Sequence, residues 1–145
     1  ELLTCVMSVP QHLEVGAPVE LLFRLSNNTS QPLYVLTWHT PLEGLLNDIF
    51  RVTREGVEVP YRGVMVKRGP PSASSYAALA PGASAEARVE LSQAYDFKLP
   101  GKYRIEFTGR VMDMATKQAE VPHPPGKVQE LELRCTAVET TVEGR

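Results

Sequence analysis

The chain has 145 residues, 43% hydrophobic and 22% charged, so it is long enough to bury a core, and its composition excludes a disordered or fibrous protein. Its net charge of −2 supplies no general attraction for phosphate backbones or acidic lipid, so we expect no nucleic-acid partner. No apolar run approaches the roughly 18–20 residues that span a bilayer, and the start at Glu1 without an initiating Met predicts a mature or trimmed product forming a single domain, residues 1–145.

The two cysteines, Cys5 and Cys135, stand near opposite ends of the chain, each inside a strand-like segment. If those strands lie side by side, the cysteines can form a disulfide. In the chain-entropy model a disulfide that closes so long a loop stabilises the fold by about 4–5 kcal/mol, and it would indicate an oxidising compartment. The alternative is two reduced, buried thiols that act as small apolar side chains.

Alternation of apolar and polar residues, which is typical of half-buried strands, dominates the chain. The clearest segments are 19–25, 85–91 and 103–107. Residues 128–135 predict a last strand with a bulge near its start, and residues 111–114 would extend the strand before it. No segment carries a helical stripe, although residues 91–96 predict a helical turn between strands.

Turn-forming residues separate these runs at short intervals. Pro81-Gly82 and Pro100-Gly101 predict tight reversals before strands, because proline presets φ and glycine tolerates positive φ. Proline cannot donate to a central ladder, so segments 70–71 and 122–125 are expected in loops or at edges. Many short strands with regular turns predict an all-β, immunoglobulin-like antiparallel β-sandwich of about 7–9 strands.

Two apolar runs end in loops suited to contact a partner. Residues 33–39 predict a buried strand that leads into the loop of Thr40, Pro41, Leu42, Glu43 and Gly44. Residues 64–66 predict a short strand that leads into Lys67, Arg68, Gly69, Pro70 and Pro71. Proline restricts the backbone before binding, so such loops bind with a small ordering cost. The two loops together indicate a binding surface.

No motif for catalysis or for a cofactor is present. The histidines His12, His39 and His123 do not form a His-Glu-x-x-His motif, and no Cys-x-x-Cys pair occurs, so we expect no metal site. His39 is expected to be a loop histidine that packs on Trp38 or bonds a backbone group. A Gly-x-Ser-x-Gly elbow and a glycine-rich phosphate loop are also missing. The sequence therefore predicts a protein that is not an enzyme and binds no cofactor.

A set of short blocks occurs in an order that resembles a known family. The blocks are 38–44, 49–56, 59–63, 66–70, 79–82, 91–96 and 100–103. Over roughly residues 15 to 109 the chain resembles the non-catalytic N-terminal (pro-)domain of deuterolysin-type zinc endopeptidases, the aspzincin and peptidyl-lysine group. In that family a catalytic domain with His-Glu-x-x-His and a downstream Asp follows; this chain has neither.

The resemblance implies an inhibitor or pro-domain that binds a secreted zinc metallopeptidase and occludes its active site. A secreted or periplasmic location is implied as well. The implied protease-binding residues are Trp38, His39, Thr40, Pro41, Leu42, Glu43, Gly44, Lys67 and Arg68. The target protease and the oligomeric state stay open.

For several of these residues two roles remain open. Glu43 would either approach a catalytic zinc or cap its own loop, and Trp38 would either anchor the edge of the interface or belong to the core. Lys67 and Arg68 would either enter an acidic specificity pocket or be ordinary surface cations.

Two other functions remain open. One is an immunoglobulin-like adhesion or glycan-binding module, which only the predicted fold supports. The other is a metal-carrying sandwich that uses His39, Met65, Met112 or Met114.

Overall fold

Eleven strands and four short 3₁₀ turns make up the regular structure of residues 1–144, which are the residues that the computed structural model describes. The strands are β1 (Leu3–Ser8), β2 (His12–Glu14), β3 (Glu20–Asn27), β4 (Leu33–Leu36), β5 (Phe50–Arg54), β6 (Val57–Val59), β7 (Tyr76–Leu79), β8 (Ser84–Glu90), β9 (Gly101–Phe107), β10 (Met114–Ala115) and β11 (Val138–Glu143). The 3₁₀ turns are Pro41–Glu43, Ala73–Ser75, Leu91–Gln93 and Gln118–Glu120. The predicted all-β class and the helical turn after residue 90 are confirmed.

The strands form three sheets. Their orders are β1-β3-β8, β10-β4-β7 and β2-β11-β9-β5-β6. Every pairing is antiparallel except that of β2 with β11. The strand number exceeds the predicted 7–9 because β2, β6 and β10 are pieces of only two or three residues.

One cluster of buried side chains draws on all three sheets. In β3, Leu21, Phe23 and Leu25 are buried while Arg24 between them is exposed, as the alternation predicts. The ring of Phe23 lies 5.5 Å from that of Phe107 at the end of β9, so the two sheets pack face to face. Three polar strand residues are exceptions to this alternation, since Asn27 in β3, Thr53 in β5 and Thr140 in β11 are buried.

Residues 64–66 are not the short strand that their apolar character predicts. Val64, Met65 and Val66 are 57%, 69% and 39% exposed, and they have no buried face. Their contact with the rest of the backbone is a hydrogen bond from the Val66 N–H to the Leu46 carbonyl, 3.0 Å long. Apolar composition alone does not make a strand where no sheet edge accepts it.

The predictions for residues 111–114 and 128–135 are also wrong. The chain leaves the five-stranded sheet after β9, and Met114 and Ala115 pair with β4 in another sheet. Residues 128–135 make only isolated bridges, Val111 with Leu131 and Cys5 with Cys135, and the last strand is β11. The apolar residues of this segment pack onto the core one at a time, without a continuous ladder.

Cys5 and Cys135 are joined by a disulfide with a Cα–Cα distance of 4.9 Å. The bond fastens the irregular segment 128–135 to β1, although 130 positions separate the two cysteines in the sequence. Neither thiol is free.

Candidate functional site

The loop after β4 is rigid because its own side chains bond its backbone. Thr40 is fully buried; its Oγ1 donates to the Thr37 carbonyl at 2.7 Å and accepts the Leu42 N–H at 3.1 Å. This N-cap begins the 3₁₀ turn Pro41–Glu43, and Gly44 ends it at a φ of 96° that favours glycine. Thr40 and Pro41 are therefore scaffold residues, and they offer little surface to a partner.

Glu43 caps this loop and also ties it to the second predicted loop. Its Oε2 accepts the His39 N–H at 2.8 Å, which holds His39 at a φ of 62°. Its Oε1 lies 2.7 Å from Nη2 of Arg68, and the Glu43 side chain is only 8% exposed. A carboxylate engaged in this way is not presented to a metal ion outside the chain.

Arg68 stacks on Trp38. The guanidinium carbon lies 4.4 Å from the centre of the Trp38 ring, a cation–π contact, while the same side chain pairs with Glu43. Trp38 is half-buried and lies beyond the end of β4, outside the main core cluster. The structure thus joins the two loops through three of the predicted site residues, and Lys67 remains exposed beside them.

Sequence reasoning missed the most exposed apolar part of this surface. The apolar pattern predicts a strand that ends at residue 66, so Val64 and Met65 are not among the predicted contact residues. Consecutive exposed apolar residues beside a structured loop are typical of a binding surface. The signal in the sequence was that polar residues do not alternate with them.

An apolar groove of about 440 Å³ lies next to the joined loops. Its walls include Trp38, Tyr76, Met112, Val128 and the proline pairs 70–71 and 124–125. The volume lies within the roughly 300–1,000 Å³ of ligand pockets, and proline walls are stiff. His39 and His123 also line it.

A buried carboxylate connects Tyr76 and His123, two of the residues that line the groove. Asp113 is fully buried, and it accepts hydrogen bonds from the Tyr76 hydroxyl at 2.5 Å and the Gln129 N–H at 2.7 Å. Nδ1 of His123 lies 2.8 Å from Oδ1 and donates to it, since the carboxylate only accepts. The side chain of Asp113, which directly precedes β10, thus connects β7 to the segment 123–129.

The hydrogen bonds set the charge of this carboxyl group. Burial by itself raises the pKa of Asp113, but bonds from the Gln129 N–H, from Tyr76 and from His123 outweigh it and hold the pKa below its ordinary value. Burial, together with the hydrogen bond to Asp113, raises the pKa of the Tyr76 hydroxyl. Asp113 is therefore ionised and Tyr76 is neutral at neutral pH.

The three histidines do not come together. His12 lies on β2 beside Glu143, whereas His39 and His123 line the groove. Within residues 1–144 no group of three or more His, Cys, Asp or Glu side chains is placed to hold a metal ion. Met112 shares the groove with His39, but Met65 lies on the exposed loop and is not among its lining residues.

No helix in residues 1–144 has the length and apolar character needed to cross a bilayer.

Comparison with known proteins gives three findings. A family model described as an immunoglobulin-like domain matches residues 7–134. An extracellular protease of Aeromonas hydrophila is 34% identical over 83 residues, which are 57% of this chain and 24% of the protease, so the chain spans about a quarter of that relative's length. A crystal structure of a CARDB domain from Pyrococcus furiosus, with bound di-metal ions, aligns with 97% of this chain and 91% of its own at 14% identity and a TM-score of 0.39.

Proposed function

The chain belongs to the immunoglobulin-like domain family, and from this premise we propose that it is a non-catalytic inhibitor or pro-domain that occludes the active site of a secreted zinc metallopeptidase. The observation that carries the proposal is the pair of loops locked together by Trp38, Arg68 and Glu43 beside an exposed apolar run. The partial similarity to an extracellular protease supports a protease as the partner.

The contacts divide the proposed site into a scaffold and a contact face. The side chains of Thr40 and Glu43 and the carbonyl of Pro41 form hydrogen bonds within the loop, and these bonds hold its shape. Residues 64–66 and Lys67 are exposed and would meet the peptidase. A preformed loop loses little conformational entropy on binding, so most of the apolar burial contributes to affinity.

A secreted or periplasmic location belongs to the same proposal. The disulfide between Cys5 and Cys135 is a bond that persists in oxidising compartments. The protease with which the chain shares 34% identity over 83 residues is described as extracellular.

Titration against an aspzincin-type peptidase tests the function. We expect the domain to abolish hydrolysis of a peptide substrate near one equivalent. Met65→Glu should weaken inhibition about 10- to 100-fold, because it puts a charge in place of a thioether that the peptidase would cover in the complex. Val57→Glu is the matched control, since Val57 is 71% exposed and lies on β6, in neither loop.

Two results would count against the proposal. One is the absence of inhibition by the unmodified domain at micromolar concentration. The other is an equal loss of inhibition in the Met65 and Val57 variants. A glycan-array signal that neither substitution changes would favour the adhesion or glycan-binding alternative.

Glu43→Gln tests the scaffold. We expect it to lower the free energy of unfolding by about 1–3 kcal/mol, because the poorly exposed Arg68 loses a charged partner, and to weaken inhibition through the loosened loops. Glu20→Gln is the control: Glu20 pairs with Arg88 on an exposed face and should change stability by less than about 1 kcal/mol. Urea denaturation measures both. If the two variants unfold alike, the pair of Glu43 and Arg68 does not brace the loops.

A further inference from the structure

The groove beside the joined loops has features of a binding site that the proposed function does not yet use. Most of its wall is apolar, with Trp38, Met112 and Val128 among the wall residues, and Val128 is 49% exposed. Water-exposed apolar walls around a concave volume of about 440 Å³ favour an apolar occupant.

The groove is also held open before any ligand binds. Asp113 fixes Tyr76 on one side and His123 and Gln129 on the other through buried hydrogen bonds. The Lys127 N–H donates to the Pro124 carbonyl at 2.8 Å, which closes the turn that forms one wall. An occupant therefore enters a preformed site, and binding costs little conformational entropy of the groove.

The charges around the groove indicate what flanks the apolar group. Two charged side chains at or beside the groove are paired within the chain, Glu130 with Arg110 and Arg68 with Glu43, and the carboxylate of Asp113 is fully buried. Lys67 and Lys127 are exposed, and neither has an ion-pair partner among residues 1–144. Lys67 precedes the wall prolines 70–71, and Lys127 lies between wall residues Pro125 and Val128. One carboxylate beside the groove also lacks a Lys or Arg partner among residues 1–144: Glu120, whose Oε2 lies 3.9 Å from Nε2 of the wall residue His123. The exposed unpaired charge beside the groove is therefore two lysines against one carboxylate.

We infer that the groove binds a short segment of the protein partner that places a large apolar side chain between acidic residues. The apolar side chain packs against Trp38 and Val128, and the flanking carboxylates pair with Lys67 and Lys127. Because the occupant is taken to belong to the partner protein, this inference rests on the proposed function. It adds the chemistry of the segment that the partner must supply.

Trp38 makes the inference measurable, because it is the one tryptophan of the chain and it lines the groove. The ligand used is a pentapeptide with both ends blocked, Glu-Asp-Leu-Asp-Glu. We expect a saturable change of Trp38 emission with a Kd between about 0.01 and 1 mM, the weak range of a single short segment. Replacing the central Leu by Ala should weaken binding about 10-fold, and replacing all four acids by Lys should abolish it.

Variants locate the binding. Val128→Glu removes an apolar wall residue and adds a charge of the same sign as the peptide, so we expect at least a 10-fold weaker Kd. Val57→Glu, at a more exposed valine that does not line the groove, should leave the Kd unchanged. Replacing Lys67 and Lys127 together with Gln should weaken binding 3- to 10-fold and reduce its dependence on salt.

Three results would overturn the inference. The first is no saturable change of Trp38 emission up to about 5 mM peptide, several times the weakest Kd expected. The others are equal binding of the Lys-flanked peptide and an equal loss of peptide affinity in both valine variants. Self-association that Val128→Glu abolishes would instead assign the groove to a second copy of the chain and would also overturn it.

The peptidase titration separates this inference from the proposed function. Peptide binding without inhibition of any peptidase would refute the function and leave the groove assignment standing. Inhibition that neither Val128→Glu nor excess peptide changes would refute the groove assignment and leave the function standing.

Discussion

Asp113→Ala is expected to lower the free energy of unfolding by about 3–5 kcal/mol, one of the two largest effects of a substitution in this chain. The carboxylate is fully buried and accepts from Tyr76, Gln129 and His123. Alanine leaves all three donors without their acceptor in a poorly solvated site, and it removes the link between the β10-β4-β7 sheet and the segment 123–129. Chemical denaturation followed by Trp38 fluorescence measures the change.

Asp113→Asn keeps the shape of the side chain and removes its charge, so it tests how much the charge contributes to stability at different pH. The folded state holds the pKa of Asp113 below its ordinary value, so the unfolded chain binds the proton more readily. The stabilisation is therefore complete above the ordinary carboxyl pKa of about 3.9 and is lost as the pH falls through the folded value. We expect the unmodified chain to lose stability below about pH 4 more steeply than Asp113→Asn. Parallel acid profiles would show that this carboxylate does not carry the effect.

Removing the disulfide is expected to have an effect of similar size. Replacing Cys5 and Cys135 with Ala should lower the free energy of unfolding by about 2–5 kcal/mol, with about 5 kcal/mol as the chain-entropy value for a loop of this length. The bond joins residues separated by 130 positions, and it fastens a segment that is held otherwise by isolated bridges. Denaturation of the double variant measures the loss.

Reduction gives the control for this prediction. Reductant should destabilise the unmodified chain by the same amount as the double substitution, and it should leave the double variant unchanged. Equal stability of the oxidised and reduced chains would contradict the prediction and would mean that packing alone holds the segment 128–135.

The alternating pattern predicted the regular strands well. Residues 19–25, 85–91 and 103–107 lie largely in β3, β8 and β9, and their apolar residues face the core. A strand with one buried face requires apolar residues at every second position, so this part of the fold can be predicted from the sequence.

The same reasoning failed where apolar residues do not belong to a ladder. Residues 64–66 are apolar but exposed, and residues 128–135 pack onto the core through single side chains, a disulfide and two bridges. In neither case does local composition say whether a sheet edge is available. That depends on where distant segments of the chain come to lie.

The candidate site shows the same division. The two loops were predicted from their prolines, charges and preceding apolar runs. The sequence leaves two roles open for Glu43, and only the folded arrangement shows that it caps its own loop and pairs with Arg68. That Trp38 forms a wall of a groove also follows only from the structure. Tyr76, Asp113 and His123 carry no motif, because 37 and 10 positions separate Asp113 from its two side-chain partners.

The sequence by itself determined the all-β class, the main strands and the positions of the two loops, because these depend on local periodicity and turn chemistry. Only the tertiary structure decided which charges are neutralised, which apolar residues are exposed and which segments meet at Asp113. Those properties depend on contacts between residues far apart in the chain, and the free energy of such contacts leaves no periodic trace in the sequence.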